Sequence, residues 1–307
     1  MSSAPIHSPS IVEETLRSQR DSWQEIAGRV SNISSRELPH EQPKRILMFG
    51  LGSSHFAAKL CAFALIRDKS RVRIPVIACS STAVGVDVIP QPGDWAFGFT
   101  HRGTSAPTLH GLLLAQRSGA FTIMVSGNGA EVPEHVGYAL HTVPMEKAEP
   151  HTASMTGAIC AVTCFLLGNK AVEEWDAIRS IGEPDLDLLR RRCGDGPDVL
   201  LGEWEGEWLA REGALKLMEM ARLPVRAFGS EEYFHGPCFS CTSETKLWHV
   251  SLPKDARNDE INTIRPAHTI GIFGSTPLAW MPALVELQWL ALAVALNRGV
   301  NPDNPRG

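Results

Sequence analysis

The sequence predicts an α/β chain of two tandem halves, each a parallel, doubly wound sheet flanked by helices. Short apolar runs alternate with helical stretches, as strands covered on both faces do. The alternation restarts after about residue 185, and glycine- and hydroxyl-rich turns join strand to helix. The expected division is therefore 1–185, holding a lead helix and the first sheet, and 186–307, holding the second.

Residues 9–34 are polar with Ile11, Leu16, Trp23, Ile26 and Val30 at helical spacing, which predicts the lead helix. Strands follow at Arg45–Phe49, Val72–Ala78, Trp95–Thr100, Phe121–Val125 and Tyr138–Val143, with helices at Ser53–Ile66, Ser105–Ser118 and His151–Leu167. A helical stretch from Ala171 and a basic segment, Leu189–Asp198, precede the second half. That half reads as a strand at Val199–Leu201, a long helix at Glu205–Met220, strands at Thr245–Leu252 and Thr269–Phe273, and a last helix at Leu278–Asn297.

Of the 307 residues, 43% are hydrophobic, enough for two cores, and the net charge of −5 leaves no cationic excess for a nucleic-acid backbone or an anionic membrane. No apolar stretch reaches spanning length, and the start, MSSAPIHSPS, lacks the form of a signal peptide, so a cytoplasmic protein is expected. Seven scattered cysteines predict reduced core residues rather than a disulfide framework. Cys238 and Cys241 have metal-ligand spacing, but no second such pair exists, so no metal site is expected.

Open α/β sheets bind ligands beyond the carboxyl ends of their strands. Gly50-Leu51-Gly52-Ser53-Ser54-His55 follows a strand and opens a helix, so its backbone and hydroxyls can approach an anion. The third glycine of a dinucleotide fingerprint and the lysine of a P-loop are both missing. A second such turn, Thr100-His101-Arg102-Gly103-Thr104-Ser105, adds hydroxyls and a guanidinium able to fork onto phosphate. In the second half, Glu212, Lys216 and Glu219 share one helix face, either as a solvated ion-pair stripe or as working groups. Glu232-Tyr-Phe-His235-Gly-Pro places an imidazole on a turn, and His with Glu can move protons near neutral pH.

Four motifs in order give these features a family resemblance: GLGSS, THRGTS, the stretch Glu146-Lys-Ala-Glu-Pro-His-Thr152-Ala-Ser-Met-Thr156, and EGALKLME followed by EYFHGP. With the tail Asn301-Pro-Asp-Asn304-Pro-Arg-Gly, they resemble the isomerase region of glucosamine-6-phosphate synthase and its stand-alone relatives, the amino-sugar isomerases and deaminases and fructosamine-phosphate deglycases. The resemblance covers roughly residues 40–307 and implies tandem sugar-isomerase (SIS) domains of flavodoxin-like form.

It implies that Gly52, Ser53, Ser54, Thr100, His101, Arg102, Thr104, Ser105 and Thr152 contact a sugar phosphate, and that Glu219 shuttles a proton between C1 and C2. His235 would assist ring opening from the neighbouring subunit of a homodimer, with no metal or organic cofactor. Three departures stand out. Arg102 replaces the family's usual serine and His101 its glutamine or arginine. The sequence ends at Gly307, before the synthase's tail lysine, but isomerisation through an enediol needs only a base and polarisation of the carbonyl, so loss of the Schiff base does not exclude catalysis. The second-half loop reads Gly202-Glu203-Trp204-Glu205, acids where phosphate would need hydroxyls, so one ligand site per chain is expected. No glutaminase nucleophile accompanies the region, so the expected activity is isomerisation or deamination of a sugar 6-phosphate, the alternative being a sugar-phosphate sensor that has kept the site and lost the chemistry.

Overall fold

Ser10 opens the first helix, α1 (Ile11–Ser31), by accepting the amide of Glu13 on its hydroxyl at 3.1 Å. The far end of the chain completes the cap: the Asp303 carboxylate accepts the amides of Ile11 and Val12 at 3.0 and 2.9 Å, an anion where a helix N-terminus favours one. The computed structural model describes residues 10–33, 38–39, 41–68, 74–253, 255–264 and 266–304. Positions 9 and 34 of the expected lead helix, 72 and 73 of the expected second strand, and 305–307 of the tail motif lie outside the described residues.

The first half runs β1 (Arg45–Gly50), α2 (Ser53–Arg67), β2 (Val76–Ser80), β3 (Asp94–Phe99), α3 (Ala106–Arg117), β4 (Phe121–Asn128), β5 (Tyr138–Pro144) and α4 (Ala153–Leu167). Helices α5 (Asn169–Ser180) and α6 (Leu186–Cys193) lead into the second half. There β6 (Val199–Gly202), α7 (Glu205–Ala221), β7 (Arg226–Gly229), α8 (Ser230–Phe234), β8 (Leu247–Ser251), α9 (Asn258–Ile264), β9 (His268–Gly271) and α10 (Met281–Asn297) follow. All strand pairs are parallel, in the orders β2-β1-β3-β4-β5 and β7-β6-β8-β9. Counted from its own first strand, the first sheet is ordered 2-1-3-4-5 and the second 2-1-3-4, so the second repeats the first one strand short.

Four of the elements depart from the sequence reading as follows. β7 was not predicted: Arg226-Ala-Phe-Gly has only two apolar side chains and forms an edge. The basic segment begins inside a helix, α6, whose Asp185 cap accepts the Leu188 amide at 3.0 Å and whose arginines occupy the last turn, where the helix dipole favours them. The expected second strand shifts to Val76–Ser80, and the last helix starts at Met281 rather than Leu278.

Apolar residues of α1, α2, α4, α6, α7 and α10 and of both sheets join in one continuous core. Buried polar groups pin α1 to α4, the Trp23 indole donating to the Thr156 hydroxyl at 3.0 Å and that hydroxyl to Gln19 at 3.0 Å. The cysteines are all free thiols, and four of them, Cys61, Cys160, Cys164 and Cys193, are buried.

The two halves share a strand-to-helix turn in detail. A Cβ on Gly50 would lie 2.6 Å from the Ser54 backbone, and one on Gly202 would lie 2.2 Å from that of Gly206, so each helix passes over a residue that must be glycine. Two residues later, Gly52 (φ 55°, ψ −131°) and Trp204 (φ 53°, ψ −122°) adopt the same conformation. Gly52 adopts it freely, whereas the Trp204 Cβ is strained there, with a side chain 63% exposed that gains little packing. Trp204→Gly is expected to stabilise the chain by about 1 kcal/mol, seen as a higher urea midpoint at unchanged slope. A lowered midpoint would show that the exposed indole contributes more than its backbone costs.

Candidate functional site

The loops after β1 and β3 lie side by side at the carboxyl edge of the first sheet and enclose two adjoining spaces. The wider, about 270 Å³, is bounded by Leu51, Ser54, Phe99, Thr100, His101, Arg102, Thr104, Ser105 and His151. A narrow extension of about 40 Å³ runs inward past Ser53, Ser126, Thr142, Ser154 and Met155. Ser53, Ser54, Thr100, His101, Arg102, Thr104 and Ser105 therefore meet around one volume. Gly52 serves it through its backbone turn, over which the Leu215 side chain of α7 packs.

The amide cradle expected of the first turn is only partly available. The Ser54 amide donates to the Leu51 carbonyl at 3.1 Å, and those of His55 and Phe56 to Gly52 at 2.9 and 3.1 Å, closing the turn on itself. What the loop offers a ligand is chiefly its hydroxyls. In the second loop the Thr100 hydroxyl accepts the Ser105 amide at 3.4 Å, and the Ser105 hydroxyl pairs with Thr108 at 3.0 Å, which itself pairs with Ser81 at 2.8 Å. These bonds fix the loop while Arg102 and Thr104 stay exposed at its rim.

Thr152 is placed otherwise than the resemblance implies. Its amide donates to the Glu146 carboxylate at 2.9 Å and its hydroxyl at 3.3 Å, and the Ser154 amide donates to the same group at 2.6 Å. The N-terminus of α4 thus already holds an anion supplied by the chain, and Thr152, fully buried, borders neither space.

Sequence reasoning passed over His151, which borders both spaces and whose Nε2 is buried without a hydrogen-bond partner among the described residues. It stands edge-on to His101 at 5.0 Å between centroids. The signal was present, an imidazole one residue before a motif threonine, but only the fold shows which side of the helix start it takes. His101 Nε2 accepts the Glu146 amide at 3.2 Å, which fixes that nitrogen as unprotonated. Burial, then His151, pushes His101 down to about 4, and burial likewise lowers His151. Burial thus favours the neutral form of both rings.

Behind the first loop lies the α7 set. Ser53 donates to Glu212 at 3.1 Å, Glu212 lies 3.6 Å from the Lys216 ammonium, and Lys216 makes a short bond to Glu219. Glu212 and Lys216 are fully buried, which rules out the solvated stripe, while Glu219 is about one-third exposed. Burial pushes Glu212 up to about 7 against the pull of Lys216. Burial would depress Lys216, but Glu212 and Glu219 outweigh it and hold the ammonium above the ordinary lysine range.

His235 stands apart, 72% exposed, its Nε2 3.1 Å from Glu231, which Arg257 grips through two nitrogens at 2.6 and 2.7 Å. In the second-half loop, Glu203 accepts the Glu231 amide at 3.1 Å, and Glu205 is buried in an ion pair with Arg67. Cys238 and Cys241 turn their thiols toward the carbonyls of Phe234 and Pro237. Among the described residues, no three His, Cys, Asp or Glu side chains are grouped to hold a metal, and no helix is long and apolar enough to cross a membrane.

Two parallel sheets of order 2-1-3-4-5 and 2-1-3-4 with loops of this kind have structural counterparts. A tagatose-6-phosphate ketose/aldose isomerase from Escherichia coli superposes over 99% of this chain and 97% of its own (TM-score 0.76, 18% identity). The fold is the sugar-isomerase (SIS) fold. A glucosamine-6-phosphate deaminase from Thermotoga maritima shares that SIS fold over 96% of this chain and 97% of its own (TM-score 0.75, 17% identity). By sequence, the SIS chain is 24% identical to the glutamine–fructose-6-phosphate aminotransferase (isomerizing) of Corynebacterium glutamicum, over 91% of this chain and 58% of that protein. The chain spans about half the length, or less, of the curated relatives it matches. No protein-family model matches it.

The raised Glu212 carboxyl has a consequence for stability. A carboxyl whose folded value lies above its unfolded value favours folding while protonated, and that contribution is lost as pH rises from about 4.5 to about 7. Relative to Glu212→Gln, the native chain is therefore expected to lose on the order of 2–3 kcal/mol over this interval, measured by urea unfolding at stepped pH. A constant difference would show that Glu212 is ionised throughout.

Proposed function

We propose that this SIS protein is a phosphosugar isomerase or amino-sugar-phosphate deaminase that moves a proton between C1 and C2 of a sugar 6-phosphate. The observation carrying this reading is the Ser53–Glu212 hydrogen bond, which joins the hydroxyl-lined space to the buried carboxylate and ammonium of α7. The first half, 1–185, holds the phosphate, and the second, 186–307, supplies the acid/base groups. The phosphate sits in the wider space, where Ser54, Thr100, Thr104 and Ser105 offer hydroxyls and Arg102 the positive charge.

Glu219 is the base. Lys216 lies against it, and a substrate carbonyl would gain from the same ammonium as negative charge develops on its oxygen. Lys216, held charged between two carboxylates, is not a nucleophile, so the route runs through an enediol, or an enolamine where the substrate carries nitrogen. His235 serves from a second copy in a homodimer: exposed and anchored through Glu231 to Arg257, it is presented outward rather than toward the spaces of its own chain. The protein works in the cytoplasm, without metal or organic cofactor and without glutaminase activity.

Proton NMR in D2O of fructose 6-phosphate, glucose 6-phosphate and glucosamine 6-phosphate tests the reading. Exchange at C1 or C2 should appear with the native chain and fall by about 10²-fold or more in Glu219→Gln. Phosphate-dependent line broadening without exchange would mean a sensor that binds and does no chemistry. The shared site has its own check: Glu219→Gln and His235→Gln, each inactive, should regain activity when mixed and allowed to exchange subunits. If the mixture stays inactive, His235 does not act across subunits.

A further inference from the structure

Moving a proton from C1 to C2 settles only half of an aldose–ketose interconversion. A second proton must pass between O1 and O2, and a group has to reach those oxygens. Glu219 is committed to the carbons in the reading above, and the Lys216 ammonium is enclosed by two carboxylates. His101 and His151 both border the wide space and its inward extension, and His101 Nε2 is already taken by the Glu146 amide, which leaves His151 as the candidate.

Its surroundings suit that task. The segment before α4 is held by Glu146, whose carboxylate takes the amides on both sides of Ala153 and whose own amide is bound to His101. His101 backs the His151 ring edge-on at 5.0 Å, so the ring stands against a rigid wall. The charged groups that His151 feels come from three elements: Glu146 in its own segment, Arg102 in the loop after β3, and Lys216 and Glu219 on α7. It therefore feels both the groups assigned to the phosphate and those assigned to the carbons. Its Nε2 has no hydrogen-bond partner among the described residues, an uncompensated cost that a ligand oxygen would relieve.

We infer that His151 is the group that carries the proton between O1 and O2 of the bound sugar phosphate, acting as a neutral imidazole; the inference rests on the isomerase reading. In the ketose-to-aldose direction, Glu219 removes a proton from C1 as the C1–C2 double bond forms and the carbonyl electron pair moves onto O2. The imidazole N–H gives its proton to O2, and the resulting imidazolate takes the proton of the O1 hydroxyl. Glu219 returns its proton to C2 as the O1 electron pair closes the new carbonyl. Nothing is oxidised or reduced overall, and both residues end as they began. Burial, which keeps His151 neutral, is a requirement of this role, because a neutral imidazole can both donate to one oxygen and accept from its neighbour.

The test uses 5-deoxyfructose 6-phosphate, a ketose phosphate that cannot close its ring, so that ring opening plays no part. With the native chain, the C2 carbonyl stretch should move to lower frequency on binding, and exchange in D2O should be measurable. In His151→Gln the frequency shift should vanish and turnover fall by about 10²-fold or more, with KM changed only a few-fold. Turnover within a few-fold of native, or a retained carbonyl shift, would overturn the inference. So would a parallel loss of binding and of melting temperature, which would make His151 a wall of the cavity. Should His151→Gln fail to fold, ¹⁵N-histidine NMR of the native chain decides: a neutral His151 ring perturbed by the ligand supports the inference, and an unperturbed ring overturns it. A native chain that exchanges no carbon-bound proton, yet shows a carbonyl shift lost in the variant, would remove the isomerase reading while leaving the contact with His151 in place.

Discussion

A lysine ammonium 1% exposed, in a core shared by two sheets, is the constraint around which this site is organised. Such a charge is tolerable only when opposite charge and hydrogen bonds surround it, and removing one partner of a buried pair costs far more than the pair contributes. Lys216 is met by Glu212 on one side and Glu219 on the other, and Glu212 is met by Ser53. The chain of contacts therefore fixes the start of α2 against the middle of α7. Gly213, beside Glu212, allows α7 close to its neighbours, since a Cβ there would lie 2.8 Å from Leu287 of α10 and 3.0 Å from Leu200 of β6. The buried charges set the register of the junction, and the apolar packing around them keeps it dry.

The same junction explains why the two halves, alike in topology, differ in chemistry. Ser53 at the start of α2 reaches Glu212 on α7, while Arg67 at the end of α2 reaches Glu205 at the start of α7. The helices run antiparallel and exchange polar contacts at both ends. At the first end the loop is left with hydroxyls bordering open space. At the second, the carboxylates of Glu203 and Glu205 occupy the turn, one on the Glu231 amide and one on Arg67. An anion-binding turn has there become an internal contact, and the Glu203 bond steadies the segment that carries His235. Ser230 and His249 hold the same segment from beneath through the buried Asp255, at 2.9 and 3.3 Å.

Much of this was legible in the sequence, because apolar runs and glycine turns are local signals. The strands at Arg45–Gly50 and Phe121–Asn128 and the helices α2, α4 and α7 fall close to where periodicity puts them. β7 was not, since a four-residue edge strand beginning with arginine carries no alternation to read. The two strand–loop–helix turns were read correctly as belonging to one sheet, and the structure makes their strands neighbours. What failed there concerns partners: Thr152 looked like a ligand contact because its spacing cannot show that Glu146, six residues earlier, would take its amide and hydroxyl. The face of Glu212, Lys216 and Glu219 was visible from their spacing, but not its direction. A helix carrying charges normally turns them to water, and only its packing against α2 reveals the opposite.

The charges around the cavity follow from these placements. The chain carries a net charge of −5, so attraction for an anionic ligand must be local, and Arg102 at the rim supplies it. The two imidazoles that border the cavity add no positive charge, because burial keeps them neutral, with His101 pushed to about 4. A phosphate entering beside Arg102 brings negative charge toward both rings and, by the same electrostatics, raises their affinity for protons. His101 cannot respond freely, because its Nε2 is committed to the Glu146 amide. His151 carries no such commitment at Nε2, so of the two rings it is the one whose proton affinity the arriving ligand can tune. The rim and the inner part of the cavity are thereby linked electrostatically through the half-buried His151 ring.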